Sequence, residues 1–518
     1  MASQAAQKSE AGPEIVTEDP TAEPPYSVFS NVEKRLYAWV ASVAAFASPV
    51  SAAIYFPALT TLAADLNTSV SKINLTITTY MIFQAVAPTF VGGFSDRWGR
   101  RPAYLFCFVV YIAANTGLAL QNSYVALIIL RCLQSSGSSG TTALANGLVS
   151  DVATRSERGS YIGLASLGSS LGPTLGPVIG GLLVHFLGWR SIFWFLDIFA
   201  GIILLVLAVF IPETCRNVVG NGSVPPQRWN FSLISYLHRR RQLRAGIPLS
   251  RSTMSNKVRP SILSSIPIIF AKESFLLLFF GGLLAGGFYI VMAGLATQLQ
   301  DTYHYNSIQV GLCYVPMGVG AIASRLLSGY LIDRNFRRHA ARLGIEIKKG
   351  RQTSLDNFPA EQARLEIALP SVYLGCVTMI AYGWVMNMAH PPLPAALVLL
   401  FFLILLLASG MQAVSVLIVD CHPDSPSAAS AAGNLTRCLL GAGGVAVVQP
   451  LVNSIGRGWT STLVAFIWLI FSPCWWACWV WGPAWRAERK HRLEEPSKST
   501  NKVWNVRISH HQLPCTDN

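Results

Sequence analysis

Apolar runs long enough to enter a lipid bilayer recur along this 518-residue chain, and no other feature limits its possible folds so sharply. Leu393–Leu407 and Ile198–Phe210 contain no charged residue at all. A hydrocarbon core about 30 Å thick requires roughly 20 mostly apolar residues to cross it as a helix, and many segments reach that length. Composition agrees. The chain is 52% hydrophobic and 12% charged, where a soluble protein is about a quarter charged; its mean hydropathy is +0.43. These values exclude an ordinary soluble enzyme and point to an all-α integral membrane protein.

Twelve transmembrane helices are expected, near 36–59, 73–94, 103–121, 124–150, 161–185, 189–211, 272–299, 308–331, 369–389, 394–419, 428–452 and 460–482. The stretch 212–271, rich in Pro, Ser and Arg, separates six from six and reads as a linker. Residues 1–35 and 483–518 read as disordered tails, and the polar N-terminus with Glu10, Glu14, Glu18 and Asp19 has no signal-peptide core.

The net charge of +14 is a topology signal and not a nucleic-acid footprint. Of the 39 Lys and Arg, only Lys72, Arg190 and Arg457 fall in one set of connections. Arg131, Arg325 and Arg437 lie inside helices, and the remaining 33 share the other side. Cationic loops resist translocation, so that side, with both tails and the linker, is expected to be cytoplasmic; the same charges attract anionic lipid. The ten cysteines have no zinc spacing, and no Gly-Lys-Ser/Thr phosphate loop is present. No metal, cofactor or direct ATP use is expected.

The two halves carry a repeat. Gly92-Gly93-Phe94-Ser95-Asp96-Arg97-Trp98-Gly99-Arg100-Arg101 follows the second helix, and Gly329-Tyr330-Leu331-Ile332-Asp333-Arg334-Asn335-Phe336-Arg337-Arg338 follows the eighth. Asp151 closes the fourth helix as Asp420 closes the tenth. Repeated halves are a transporter architecture with the solute held between them.

The first loop resembles the signature loop of the major facilitator superfamily, and Arg131-x-x-Gln134 resembles its second motif, with Ser135 where glycine is usual. Gly172-Pro173-x-x-Gly176-Pro177-x-x-Gly180-Gly181 resembles the fifth-helix motif of its drug:proton antiporters; Trp189-Arg190 and Pro212-Glu213-Thr214 fit that branch. Phe358-Pro-x-Glu361-x-Ala363-Arg364-Leu365 and Ala431-Ala-x-Asn434-Leu-x-Arg437 resemble fungal twelve-helix multidrug transporters of the quinidine-resistance type. Phe336 departs from the pattern where the first loop has Gly99.

The resemblance implies a latch on the cytoplasmic side. Asp96 would face the N-terminus of the eleventh helix, where an anion gains roughly 0.3–1 kcal/mol, and Asp151 would need a cation such as Arg97 or Arg100. Arg100 and Arg101 are expected on the lipid-headgroup side, with Asp333 and Arg334 forming the weaker second copy. The four-residue spacing of Gly168, Gly172, Gly176 and Gly180 gives a smooth helix face for close packing, and Pro173 and Pro177 would bend that helix.

Charges inside helices cost about 2.5–3.5 kcal/mol each on insertion scales, so they mark function. Arg131 and Asp197 lie at matched depth, roughly 10–12 Å from the outer side, and are expected to form a proton- and solute-coupling pair with Gln134 nearby. Arg437 has no evident partner, and Arg325 is expected to snorkel. Asn67 and Asn74 match glycosylation acceptors.

The implied function is secondary active export of small amphipathic molecules (drugs, toxins or endogenous metabolites) in exchange for protons. The chain would act as a monomer in the plasma membrane, or else in a vacuolar or vesicle membrane. A first helix with no carboxylate, together with Arg131, favours neutral or anionic solutes. A proton-coupled uptake carrier of the same fold and a transporter-like sensor are the alternatives.

Overall fold

The computed structural model describes residues 27–153, 157–222, 224–227, 230–232, 236, 265–344, 358–422 and 426–489. The described secondary structure is helical throughout. In the first half, α1 is Asn31–Ala53, α2 Val70–Trp98, α3 Arg100–Leu120, α4 Tyr124–Val152, α5 Arg158–Leu187 and α6 Arg190–Phe210. In the second, α7 is Lys272–Tyr303, α8 is Val315–Arg342 entered through the short helix Ser307–Cys313, α9 is Ala360–Met386 and α10 is Leu393–Cys421.

The remaining helix, Pro426–Phe471, is two spans in one hydrogen-bonded run. At Gly456 the backbone leaves the helical region, with φ 79° and ψ 170°. Gly188 takes nearly the same angles, φ 79° and ψ 167°, where α5 gives way to α6. The chain therefore reverses at Gly456, giving α11 (426–455) and α12 (457–471, resuming at 473–489). Contacts confirm the reversal: Trp459 packs on Trp384 near the end of α9, whereas the Trp475 indole donates to the Leu277 carbonyl near the start of α7.

Ten helical stretches are long and apolar enough to cross a membrane. Division at Gly456 adds one. The other is α4, which has the length but carries Arg131, Gln134 and the small polar run 135–142 on its buried face. The total is twelve, as the sequence implied.

Several boundaries differ from expectation. α1 begins inside the expected 1–35 tail because Ser30 caps it. The Ser30 hydroxyl accepts from the Glu33 amide and Glu33 accepts back from the Ser30 amide, a reciprocal box. α12 runs to residue 489, into the expected 483–518 tail, because Arg486 pairs with Glu361 at 3.3 Å and Arg489 with Glu273 at 3.5 Å. These two arginines supply the counter-charge for Glu273 and Glu361, which with Cys421 form a buried trio whose ligand-type atoms lie within 4.8 Å of one another. α9 starts at Ala360 and not near 369, and α8 runs through Asp333 to Arg342. Part of the expected linker is ordered against the first half, including the short helix Arg216–Val219; residues 237–264 lie outside the described residues.

Each half packs on itself through α1 with α5, α2 with α4 and α3 with α6, and correspondingly α7 with α11, α8 with α10 and α9 with α12. The halves meet along two seams, α2 on α11 and α5 on α8 with its entry helix.

Candidate functional site

The first signature loop is built around Gly99. Its φ of 116° lies in the region that favours glycine, and a Cβ there would overlap the Glu213 carboxylate. That carboxylate, 3% exposed, caps α3. Its Oε1 accepts from the Arg100, Thr214 and Cys215 amides at 2.8, 2.9 and 2.8 Å. Its Oε2 accepts from the Arg101 amide at 3.2 Å and the Asn230 side chain at 2.8 Å. An anion at a helix N-terminus satisfies orphan donors and meets the helix dipole. Glu213 appeared in the sequence only as part of a short motif; nothing in its spacing announced this role. Beside it, burial pushes the Cys215 thiol up to about 12, so it stays protonated.

Arg100 is the hub of this loop. It bridges Asp96 at 2.6 Å and Asp151 at 2.9 Å and donates to Ser95. Arg100 is thus the cation that Asp151 needs at its helix C-terminus. Two expectations fail. Neither arginine reaches for headgroups: Arg101 is buried, donating to the Ala208 carbonyl and to Asn230. Asp96 faces Arg100 in its own half, not the start of α11. Arg97 is exposed and lies over the Trp98 ring, outside the ion cluster.

In the second half the same job falls to another residue. Arg364, one turn into α9, pairs with Asp420 at 3.1 Å and lies over the Phe336 ring. The Arg364–Asp420 pair repeats Arg100–Asp151, so the Asp151/Asp420 correspondence is structural. Asp333 and Arg334 are exposed, and no ion pair forms on them among the described residues. With Phe336 in place of a turn glycine, α8 simply continues.

At mid-depth, Arg131 is 0% exposed. Its guanidinium lies between the Tyr55 and Tyr80 rings, 4.3 and 4.4 Å from their centroids, an arrangement that stabilises a desolvated cation. One Nη donates to Gln134 Oε1 at 2.6 Å and to the Ser51 carbonyl at 3.4 Å. Gln134 donates to Asn115, and Asn115 to the Tyr111 carbonyl. The Tyr111 hydroxyl closes the ring on Ser51. Arg131 Nε and its other Nη have no hydrogen-bond partner. The expected ion pair with Asp197 does not form. Asp197 accepts from the Thr116 hydroxyl at 2.8 Å, because α6 packs on α3 while Arg131 points from α4 toward α1 and α2. Depth matched, but helix face did not.

The glycine stripe of α5 faces α1, as its spacing implied. A Cβ at Gly168 or Gly180 would overlap the Ser42 or Ile54 carbonyl, and one at Gly172 or Gly176 would press on Pro49 or Ala53. Gly181 faces the other half: a Cβ there would overlap the Ser307 carbonyl. Pro173 and Pro177 sit within the continuous helix, and the Pro177 carbonyl would lie 2.6 Å from a Cβ at Gly311. Of the two sequons, Asn67 is exposed in a turn. Asn74 is 1% exposed inside α2, where no glycan fits.

Among the described residues, the closest contacts between the halves gather at one end. Near the end opposite the signature loops, Phe56 stacks on Tyr314, Thr78 donates to the Ala442 carbonyl, and Gly181 and Gly311 meet the partner backbone. Among the described residues, the cross-seam hydrogen bond nearest the loops runs from Asn434 to the Gln84 carbonyl at 3.4 Å. Beyond it, Gly92, Gly163 and Gly329 face open space. Among the described residues, the hydrogen bonds and tight contacts between the halves lie away from the signature-loop end. Arg437, donating to Asn434 at 2.9 Å, and Arg325 are both exposed. A separate cavity of about 310 Å³ lies in the second half at the end opposite the signature loops, lined by Gln298, Asp301, Gln449 and Arg457 among others.

Comparison with known proteins agrees with this architecture. The family model described as Major Facilitator Superfamily matches residues 41–445. The MFS-type transporter phiD of a fungal species is 45% identical over 470 residues, 90% of this chain and 71% of that one. The MFS-type transporter M6 of a Phoma species is 46% identical over 473 residues, 91% and 86% of the two chains. Citrate exporter 1 of Aspergillus niger is 34% identical over 91% of this chain and 90% of its own. Among solved structures, a D-xylose-proton symporter superposes with a TM-score of 0.61 at 15% identity, covering 86% of this chain and 97% of that one. The human organic anion transporter MFSD10 gives 0.52 at 16%, covering 88% and 100%; both show the fold alone. A twelve-helix chain in two halves, with this loop and these relatives, belongs to the major facilitator superfamily, whose members are membrane transporters and not enzymes.

Proposed function

We propose that this transporter exports small amphipathic molecules in exchange for protons, as a monomer in the plasma membrane with the signature loops, linker and both tails in the cytoplasm. The observation that carries the reading is the one-sided contact between the halves. Among the described residues the halves are joined away from the side rich in cationic loops, so that side is where a solute made in the cell would enter. A relative named as an exporter supports the direction. Asp197 is a carboxylate set within the apolar helix α6, where it accepts from the Thr116 hydroxyl, and we assign it the proton. Arg131 and Gln134 hold the cationic centre that responds to it through α3 and α4.

Untargeted comparison of metabolites retained by cells with and without the gene identifies the solute. Proteoliposomes with an imposed pH gradient then test the coupling. Solute is expected to move against the proton flow, and Asp197→Asn to abolish gradient-driven flux while keeping solute counterflow. Solute moving with protons would make the chain an uptake carrier. Undiminished gradient-driven flux in Asp197→Asn would take the proton away from this residue.

A further inference from the structure

The cavity of about 310 Å³ in the second half lies where the first half has a tryptophan. The turn between α11 and α12 is built on Gly456 as the turn between α5 and α6 is built on Gly188, with nearly the same backbone angles. Trp189 follows the first glycine and Arg457 the second. Each reaches back to an acid at the far end of its half's first span, Asp65 closing Asn31–Asp65 and Asp301 in the last turn of α7. The Trp189 indole donates to Asp65 at 2.6 Å, and Arg457 pairs with Asp301 at 3.6 Å. Trp189 is 2% exposed and fills its place. Arg457 is a narrower side chain, Gly458 adds none, and Trp459 turns away onto Trp384. The space beside Arg457 is left open.

Polar groups with unused hydrogen-bonding capacity line that space. Four are carboxamides: Gln298, Asn387, Gln449 and Asn453. Gln298 accepts from the Tyr382 hydroxyl at 3.0 Å, which orients its amide and leaves the nitrogen to donate. Gln449 donates to Asn453 at 3.3 Å, leaving the carbonyl of the first and the nitrogen of the second. Thr297 is 7% exposed, and its buried hydroxyl has no hydrogen-bond partner. A buried hydroxyl in that condition carries a desolvation cost that a hydrogen-bonding ligand removes.

The charge in the wall is balanced. Arg457 and Asp301 offset each other, and Arg457 also donates to Thr302 and to the Met386 carbonyl. No net charge draws in an ion. Met386, Met388 and Val452 supply an apolar share of the wall. Asn387, Met388 and Asn453 are exposed, so the mouth faces solution, whereas Gly294 and Met386 are buried at the floor. Carboxamides offer donors and acceptors side by side, as hydroxyl groups do, and apolar wall atoms suit the C–H faces between hydroxyls.

We propose that this cavity binds a small, neutral, polyhydroxylated molecule, a polyol or a single sugar ring, from the solution at the end opposite the signature loops. Its volume stands at the lower end of the roughly 300–1,000 Å³ of small-molecule sites. Its walls come from α7, α9 and the α11–α12 turn, all in the second half. The site therefore lies off the seams and keeps its walls when the halves move against each other. It needs neither the proton exchange nor the solute proposed above.

The full-length protein in phosphatidylcholine nanodiscs is tested by saturation-transfer difference NMR with mannitol, myo-inositol and D-glucose, and with citrate, choline and glycine as charged counterparts. Thermal midpoints are unsuitable as the binding readout, because sugars stabilise proteins by exclusion from their surface. At least one of the three neutral probes is expected to receive saturation, and none of the charged ones. Gln449→Leu/Asn453→Leu removes two polar groups at partly exposed positions and should weaken binding roughly tenfold or more. Asn453→Trp puts an indole into the space and should abolish binding. Arg190→Gln, at the corresponding turn of the first half, should bind as the wild type does.

Silence from all three neutral probes overturns the proposal. So does binding that is unchanged in both the leucine pair and Asn453→Trp, or a charged probe that binds in place of the neutral ones. Polyol binding in a protein without any response to a pH gradient would leave this site standing and remove the exchange reading. Gradient-driven flux in a protein that binds none of the neutral probes would do the reverse.

Discussion

Residue identity matters most here where a backbone or a charge has a single acceptable occupant. Gly99 combines a φ of 116° with a carboxylate packed where its Cβ would go. Gly99→Ala is expected to cost about 2–4 kcal/mol, from backbone strain and displacement of the Glu213 cap, read as a lower thermal midpoint in detergent. Asp96→Asn removes the charge of the Arg100–Asp96 bridge, which we propose the two-state cycle breaks or remakes. It should cripple turnover in protein that still folds and reaches the membrane, because it shifts the balance of states and removes no solute contact. Asp333→Asn, at an exposed and unpaired residue, should do far less. Comparison of transport rates at matched expression checks both, and a more damaging Asp333→Asn would invert the ranking.

At the scale of the helix, α5 has two separable functions. Gly168 and Gly180 press on α1 within the first half, whereas Gly181 presses on the entry helix of α8 across the seam. Gly168→Val should therefore destabilise the half itself and lower the yield of folded protein. Gly181→Val should leave the half intact but disfavour the seal, moving the population toward a state open on the opposite side. Reactivity of a cysteine placed at Tyr314, buried at the seal, should rise toward a membrane-impermeant reagent in Gly181→Val. Equal reactivity with and without the substitution would show that the seam does not depend on this contact.

For the whole molecule, the charge bias and the one-sided contact between the halves make a joint prediction. Single cysteines at Ser255 or Thr353, on a cysteine-free background, should resist impermeant labelling from outside intact cells, and a cysteine at Asn67 should react. Labelling at Ser255 from outside would reverse the membrane orientation and, with it, the side from which a solute would enter. In the opposite state the signature-loop end must close, which brings α2 toward the start of α11. We propose that the Asp96 contact implied by the family resemblance belongs to that state; here Asp96 is held by Arg100.

Hydropathy and charge placement determined the membrane class, the twelve spans and the division into halves, because each is set by local composition over about 20 residues. The repeat foretold that Asp151 and Asp420 are equivalent, and the glycine spacing foretold the packed face of α5. Helix face relative to third parties was not legible: Arg131 and Asp197 share a depth, but only packing sends one toward α1 and α2 and the other toward Thr116. Equally hidden were Glu213 as the cap of α3 and Arg364 as the stand-in for Arg100, since each acts across tens of residues of chain. Arg325 and Arg437 could be ranked as buried or snorkelling from sequence. Only the tertiary structure decided that both are exposed, because a charge's meaning in a membrane depends on what faces it.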